Sequence, residues 1–173
     1  SSLEVSGIFK LLVTYVNSDL KELIDNNVKV KILGDYSTLP ADAVRSLEKT
    51  LASTEKNTGL QFNIALNYGG RDEIRKAAVA IGKKIEEGEI RAEDITEEMI
   101  GSELYTGEYK ADTPDPELII RTSGELRLSN FLLWQSAYSE MVFSDVLWPD
   151  FTPEQYEKAI EDYQSRERRF GGR

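Results

Sequence analysis

The chain has 173 residues, 40% hydrophobic and 30% charged, which suits a soluble globular protein with one sizeable core. Asp and Glu number 31 against 21 Lys and Arg, and the formal charge of -10 disfavours nonspecific nucleic-acid binding, which takes a basic face. With no Cys and no His, disulfides, thiolate chemistry, the commonest general base and the commonest zinc ligand drop out, so any catalysis rests on Arg, Lys, carboxylates, hydroxyls, backbone amides or a hard metal ion.

The chain opens SSLEVSG, without an initiator Met, and enters a helical pattern at once, so a natural chain that begins earlier is expected. Val5, Phe9, Leu12, Val16, Leu20 and Leu23 fall at helical spacing and predict a long amphipathic helix over 3–25. Asn26-Asn27 stops it, because Asn tolerates the left-handed conformation. VKVKIL (28–33) alternates Val and Lys and predicts a strand away from the sheet's centre, closed by Gly34-Asp35. Thr38, with Pro40 after it, begins a second helix that runs to Lys56 with Val44, Leu47 and Leu51 as its apolar stripe. Asn57-Thr58-Gly59 stops that helix. LQFNIALNY (60–68) is the clearest strand, with Leu60, Phe62, Ile64 and Leu66 on one face and Gln61, Asn63, Ala65 and Asn67 on the other. Gly69-Gly70 turns directly into a third helix, Arg71 to Glu87, with Ile74, Ala77, Ala78, Ile81 and Ile85 inside.

Residues 88–116 are acidic and irregular, with a short helix around Thr96 to Leu104 and a surface loop over 105–116. A strand over 118–122, a helix over Ser129 to Tyr138 and an extended piece at Met141 to Phe143 come next, ahead of Trp148-Pro149. Thr152-Pro153-Glu154-Gln155 has the form of a capping box and opens a last helix to Arg166, with Tyr156, Ile160 and Tyr163 facing inward. No apolar run approaches the ~20 residues that span a bilayer. Strands alternating with long helices imply an α/β fold, a central parallel sheet flanked by helices. Ligands of such sheets sit outside the carboxyl ends of the strands, where two polar turns fall: Asn67 to Arg71 and Arg121 to Ser129.

A guanidinium presents donors in a fixed fork that suits phosphate oxygens. Arg121 and Arg127 flank a Gly-containing turn and can converge on one anion, with the Ser129 hydroxyl and the first amides of the following helix as further donors. Surface pairing of both arginines with Glu117, Glu125 or Asp115 is the competing reading, and composition does not separate the two. Asn67-Tyr68-Gly69-Gly70-Arg71 lets backbone approach a ligand at a helix start, or is an ordinary tight strand-to-helix turn. It is neither a Walker A loop nor GxGxxG. Glu140, beside Tyr138, Met141, Val142 and Phe143, is either a solvated glutamate or a partly buried carboxylate near two arginines that could serve as a Mg2+ ligand. The basic tail RERRFGGR is either a fraying terminus or a reach towards a phosphate in its own or a neighbouring subunit.

IRTSGELRLSNFLLWQSAYSE, followed by FSDVLWPDF, resembles the C-terminal signature of the cis-prenyltransferases, most closely the bacterial undecaprenyl diphosphate synthases. LNYGGRDEI resembles the family's central motif and RERRFGG its C-terminal Arg-x-Gly motif, here Arg169-Phe170-Gly171, so the resemblance covers essentially the whole chain. It implies a Mg2+-dependent enzyme condensing isopentenyl diphosphate onto an allylic diphosphate such as farnesyl diphosphate, with new double bonds in Z geometry. The implied product is a polyprenyl diphosphate such as undecaprenyl diphosphate, the lipid carrier precursor for cell-wall synthesis. The resemblance further implies a cytoplasmic homodimer at the membrane periphery that delivers its product to the membrane. Carried over residue by residue, Arg121, Arg127 and Ser129 bind isopentenyl diphosphate and Glu140 helps hold Mg2+. Arg169 and Gly171 reach the partner subunit's active site. Asn67 and Arg71 are the catalytic candidates, in a supporting role close to the site.

One departure is large. Family members carry an N-terminal Asp-Gly-Asn-x-x-Arg-Trp segment that binds the allylic diphosphate and supplies the other Mg2+ carboxylate, and it does not occur in these residues. Residues 1–173 are therefore expected to be the C-terminal portion of a single catalytic domain, inactive alone. A non-catalytic partner subunit of a heteromeric prenyltransferase is the alternative; such subunits lose much of the phosphate-binding block, which is intact here. A generic nucleotide-binding module lacks any fingerprint in this chain. The bottom-up chemistry agrees with the main reading: Mg2+ and arginines stabilise a leaving pyrophosphate, the alkene attacks, and a diphosphate oxygen is a candidate proton acceptor, so no His is required. Phe9, Phe62, Ile64 and Leu66 are candidates for an apolar tunnel and equally for plain core.

Overall fold

The computed structural model describes residues 2–109 and 115–167 and divides into two compact units, Ser1–Tyr68 and Gly69–Arg173. Helices and strands alternate along the chain, and both strand pairs are parallel, which makes the chain an α/β protein. Among the described residues the strands pair two by two, β1 (Lys29–Leu33) with β2 (Gln61–Ala65) and β3 (Leu118–Arg121) with β4 (Glu140–Phe143).

In the first unit α1 (Ser2–Asp25) packs on α2 (Ala41–Thr54), and α2 packs on β1. Asn27 sits at φ 56 and ends α1, the left-handed stop its side chain favours. Val30 and Leu33 are buried on β1, and Val30 pairs with Phe62 in the parallel register. The second helix starts later than its Thr38 signal, because Tyr36–Thr38 forms a separate single turn. Asp35 closes that turn by accepting from Ser37 N at 3.1 Å.

The buried row of α2 is partly polar: Ala43 and Leu47 are joined by Ser46, Thr50 and Thr54. Thr50 and Thr54 fit there because each hydroxyl donates back to the carbonyl four residues earlier, at 3.1 and 2.9 Å. Thr54 Oγ1 also accepts from Val30 N at 3.2 Å, tying helix to strand. Thr54→Val keeps the shape but leaves that buried N–H without its acceptor. A loss of about 1–2 kcal/mol is expected. Urea denaturation checks it, and an unchanged midpoint would show the bond to be dispensable.

In the second unit α3 (Gly70–Glu86) packs against α4 (Glu97–Ser102), and α5 (Pro153–Ser165) packs on β4. Ala77 and Ile81 are the buried apolar residues of α3, while Ala78, expected inside, is exposed. Thr96 caps α4 by accepting from Met99 N at 3.3 Å. On α5, Ala159 and Tyr163 form the buried i,i+4 row, with Tyr163 donating its hydroxyl to Glu117 Oε2 at 3.0 Å. Tyr156, expected inward, is 53% exposed. Thr152 is the N-cap with Pro153 next, yet its side chain makes no cap bond. It bonds Glu154 instead and lowers that carboxyl's pKa.

The largest departure from expectation is Ser129 to Tyr138, which forms successive turns rather than a helix. Ser129 (φ 49), Asn130 (φ 66) and Leu132 (φ 44) are all left-handed, and a right-handed helix cannot run through them. Turn bonds replace the helical ladder, among them Phe131 N to Leu128 O at 3.0 Å and Ala137 N to Trp134 O at 3.4 Å. Buried Leu132 and Gln135 anchor the segment.

Candidate functional site

The turn after β3 is stitched down on both sides. Ser123 and Gly124 both have φ 68 and reverse the chain. Their amides donate to Val146 O at 2.8 Å and Ser144 O at 2.9 Å, while Ser144 N donates to Arg121 O at 2.8 Å. Arg121 closes the carboxyl end of β3, half-buried, with Nη2 reaching Ser129 Oγ at 3.4 Å. So long a contact is weak and sets the two groups side by side rather than tying them up. The other guanidinium donors are then well placed to meet an anion shared with the hydroxyl.

Arg127 differs. Its side chain is 68% exposed and pairs with Glu125 through Nη1 and Oε2. The ion-pair reading therefore describes Arg127, while Arg121 stands beside Ser129. An exposed pair of this kind contributes about 0–1 kcal/mol, little enough for an incoming anion to draw Arg127 away from Glu125.

The two catalytic candidates are held by different partners. Asn67, in the first unit, has φ 46 and donates Nδ2 to Asp35 O and Thr38 Oγ1, both at 3.0 Å. Gly34 makes that turn possible: at φ 113, a Cβ there would lie 2.2 Å from Leu66 O. Arg71, in the second unit, has an exposed side chain in the first turn of α3, and its N–H donates to Asn130 Oδ1 at 2.9 Å. Gly70 N donates to Asn130 O at 2.7 Å. A Cβ at Gly69 would lie 2.7 Å from Asn130 Nδ2, and one at Gly70 2.9 Å from Leu133 Cγ. The close approach these glycines permit is thus made by residues 130 and 133 of the same chain.

Glu140 opens β4 opposite Leu118, whereas Arg121 is at the far end of the same ladder opposite Phe143. Three strand residues span about 10 Å. The arginine beside Glu140 is Arg166, and the ladder sets Glu140 apart from Arg121, contrary to the closeness expected of them. Arg166 Nη1 donates to Glu140 Oε2 at 3.0 Å and to Met141 O at 2.9 Å, and Nη2 donates to Asp162 Oδ2 at 2.6 Å. Asp162 first, then Glu140, raises the guanidinium's pKa. Both members of the Glu140–Arg166 pair are 32% exposed. Among the described residues there is no group of three or more potential metal ligands. Mg2+ commonly takes one or two carboxylates plus substrate phosphates, and a single part-exposed glutamate fits such a site. Arg169 and Gly171 lie outside the described residues, as does the side chain of Phe9. Of the other tunnel candidates, Phe62 is 48% exposed and Ile64 and Leu66 are partly buried.

Sequence reading missed a buried polar cluster behind the turn segment. Glu73, 2% exposed, accepts at Oε1 from Tyr105 N at 2.8 Å and from Gln135 Nε2 at 3.2 Å. Gln135 Nε2 also donates to Thr106 Oγ1 at 3.1 Å. An acid in the first turn of a helix ordinarily reads as an exposed partner of the helix dipole, so no local signal marks it as buried. Among the described residues, no helix is long and apolar enough to cross a membrane.

Comparison with known proteins gives a consistent picture. A family model described as "Putative undecaprenyl diphosphate synthase" matches residues 1–171. An isoprenyl transferase of Bacillus thuringiensis is 52% identical over 169 residues, and one of Bacillus subtilis is 49% identical over 170. Each alignment takes in 98% of this chain but only 64% of the relative, so the chain spans less than two thirds of their length. Lavandulyl diphosphate synthase from Lavandula x intermedia, solved with dimethylallyl diphosphate, superposes with a TM-score of 0.93 at 35% identity, covering 99% of this chain and 73% of that one. A "probable undecaprenyl diphosphate synthase" from Campylobacter jejuni gives 0.82 at 32% identity, covering 99% and 76%.

Proposed function

The chain belongs to the undecaprenyl diphosphate synthase family of prenyltransferases, and from that premise we propose that it carries the isopentenyl-diphosphate half of a Mg2+-dependent cis-prenyltransferase active site. The observation that carries this reading is the pairing of Arg121 with Ser129 at the carboxyl end of β3, where ligands of parallel sheets sit. Arg127, on the same turn, supplies the second guanidinium once it leaves Glu125. A diphosphate held by two guanidiniums and a hydroxyl is fixed in orientation, which places the alkene for attack. Because Asn130 already takes the first amides of α3, the side-chain donors rather than that helix start hold the anion.

Glu140 is the carboxylate these residues offer to Mg2+, with Arg166 orienting it through Oε2. When bound, the ion stabilises the negative charge of departing pyrophosphate. Asn67 and Arg71 are the catalytic candidates by their match to the family's central motif. The co-substrate is an allylic diphosphate such as farnesyl diphosphate; the dimethylallyl diphosphate bound by the lavender relative supports that class. The protein works in the cytoplasm as a homodimer, Arg169 and Gly171 serving the partner's site, and passes a Z-polyprenyl diphosphate such as undecaprenyl diphosphate to the membrane. Residues 1–173 form the C-terminal portion of one catalytic domain.

The test is incubation of the intact protein with farnesyl diphosphate, radiolabelled isopentenyl diphosphate and Mg2+, followed by sizing of the product. Mg2+-dependent incorporation into a long polyprenyl chain is expected. Failure of label to enter lipid would favour the non-catalytic partner subunit, against which the presence of Arg121, Arg127 and Ser129 together argues.

A further inference from the structure

We infer that Asn130 is a positioning residue for the diphosphate cradle: it locks the Ser129 turn onto the start of α3 and so sets the Arg121–Ser129 pair. The inference rests on the site reading above and extends it to a residue that reading does not use.

Asn130 makes two bonds to residues far back in the chain, its side-chain Oδ1 accepting from Arg71 N at 2.9 Å and its backbone O from Gly70 N at 2.7 Å. These amides open α3 and lack intrahelical acceptors, so they need partners from outside the helix. The N-cap, Gly69, has no side chain to offer. Asn130 supplies the missing cap from a distant part of the chain, and its oxygen meets the positive end of the helix. The glycine pair is shaped to receive it. At Gly69 a Cβ would meet Asn130 Nδ2 at 2.7 Å, and at Gly70 a Cβ would meet Leu133 N at 3.1 Å and Asn130 O at 3.2 Å.

The cap also explains the backbone of the cradle. Ser129 and Asn130 are consecutive left-handed residues at φ 49 and φ 66, a conformation that L-residues adopt only under restraint. Asn is among the residues that tolerate it best, and its bonds to α3 supply the restraint. Ser129 is next in the chain, so the position of its hydroxyl beside Arg121 Nη2 depends on where Asn130 is pinned. Farther along the segment, Gln135 is pinned to Glu73 of the same helix. With both bonds in place, the segment cannot slide along α3. Loss of the Asn130 bonds frees only the end that carries Ser129.

Three variants of the intact protein test this. Asn130→Gly keeps the left-handed backbone and removes the side-chain acceptor. Asn130→Asp keeps an acceptor oxygen facing the same helix start. Ser129→Ala tests the site reading independently. Asn130→Gly is expected to raise KM for isopentenyl diphosphate about tenfold, the loss of one well-placed interaction, with kcat and the KM for farnesyl diphosphate little changed. Asn130→Asp is expected to stay within about threefold of the parent. Amide exchange at Arg71 should quicken in Asn130→Gly and not in Asn130→Asp, whatever the activity does. Parental KM in Asn130→Gly, or equal impairment of the Gly and Asp variants, would overturn the proposal. If Ser129→Ala leaves KM unchanged while Arg71 exchange responds as expected, the site reading fails and the cap survives as a structural feature alone. Unchanged Arg71 exchange in Asn130→Gly removes the cap itself.

Discussion

Arg121→Ala is expected to raise KM for isopentenyl diphosphate on the order of 100-fold, with the fold intact. Charge-assisted hydrogen bonds are worth about 1.5–3 kcal/mol each, and the upper figure corresponds to roughly two decades in affinity. Alanine removes the guanidinium and leaves the Ser129 hydroxyl without the neighbour now 3.4 Å away. The backbone of the turn should survive, because Arg121 O still accepts from Ser144 N and the Ser123 and Gly124 amides keep their partners. Arg127→Ala is expected to raise the same KM by a smaller factor, about tenfold, since Arg127 must first give up Glu125 to meet the ligand. Arg121→Lys should recover little, because an ammonium cannot reproduce the planar fork. Steady-state kinetics with isopentenyl diphosphate varied at saturating farnesyl diphosphate decides the matter. An Arg121→Ala enzyme with parental KM would remove this residue from the diphosphate site.

What the sequence made legible follows from the range over which each signal acts. The helix over 3–25 and the strands 28–33 and 118–122 rest on local periodicity, and all three are present within a residue or so of their expected limits. Asn27 and Thr96 are equally local, each acting on its own backbone or the next turn. The Ser129 to Tyr138 helix failed because its apolar spacing is compatible with a helix, while the decisive bonds come from residues 70, 71 and 73, far away in sequence. No window of neighbouring residues contains that information. The same limit hid the role of Asn130 and the partnership of Glu140 with Arg166, which is fixed by the packing of α5 on β4. Motif resemblance picked out Arg121, Arg127 and Ser129 together as candidates for a diphosphate site, yet it could not say that Arg121 stands beside Ser129 while Arg127 is held by Glu125. The chain between and after these residues passes through left-handed Ser123, Ser129 and Leu132, a conformation that Ser and Leu seldom adopt and that their sequence does not signal.

Removal of the Glu73 carboxylate should be the most damaging single change to the stability of the second unit. At 2% exposure Glu73 receives Tyr105 N at 2.8 Å and Gln135 Nε2 at 3.2 Å, joining α3, the 104–106 turn and the segment that ends at Tyr138. Glu73→Ala leaves the Tyr105 N–H without this acceptor and deprives Gln135 of one of its two, while Gln135 Oε1 is already buried without a partner. Each stranded buried group costs about 1–3 kcal/mol, so a total near 3 kcal/mol is expected. For a chain of this size that is a fall in Tm of roughly 6–12 °C. Glu73→Gln keeps an acceptor oxygen for both donors and should lose only about 1 kcal/mol, because a neutral amide oxygen accepts more weakly than a carboxylate. The contrast between the two variants separates loss of hydrogen bonding from loss of side-chain volume. Calorimetry or urea denataturation reads both, and a Glu73→Ala protein within 0.5 kcal/mol of the parent (a tolerance of about the usual surface substitution) would show that the cluster does not hold the segment in place.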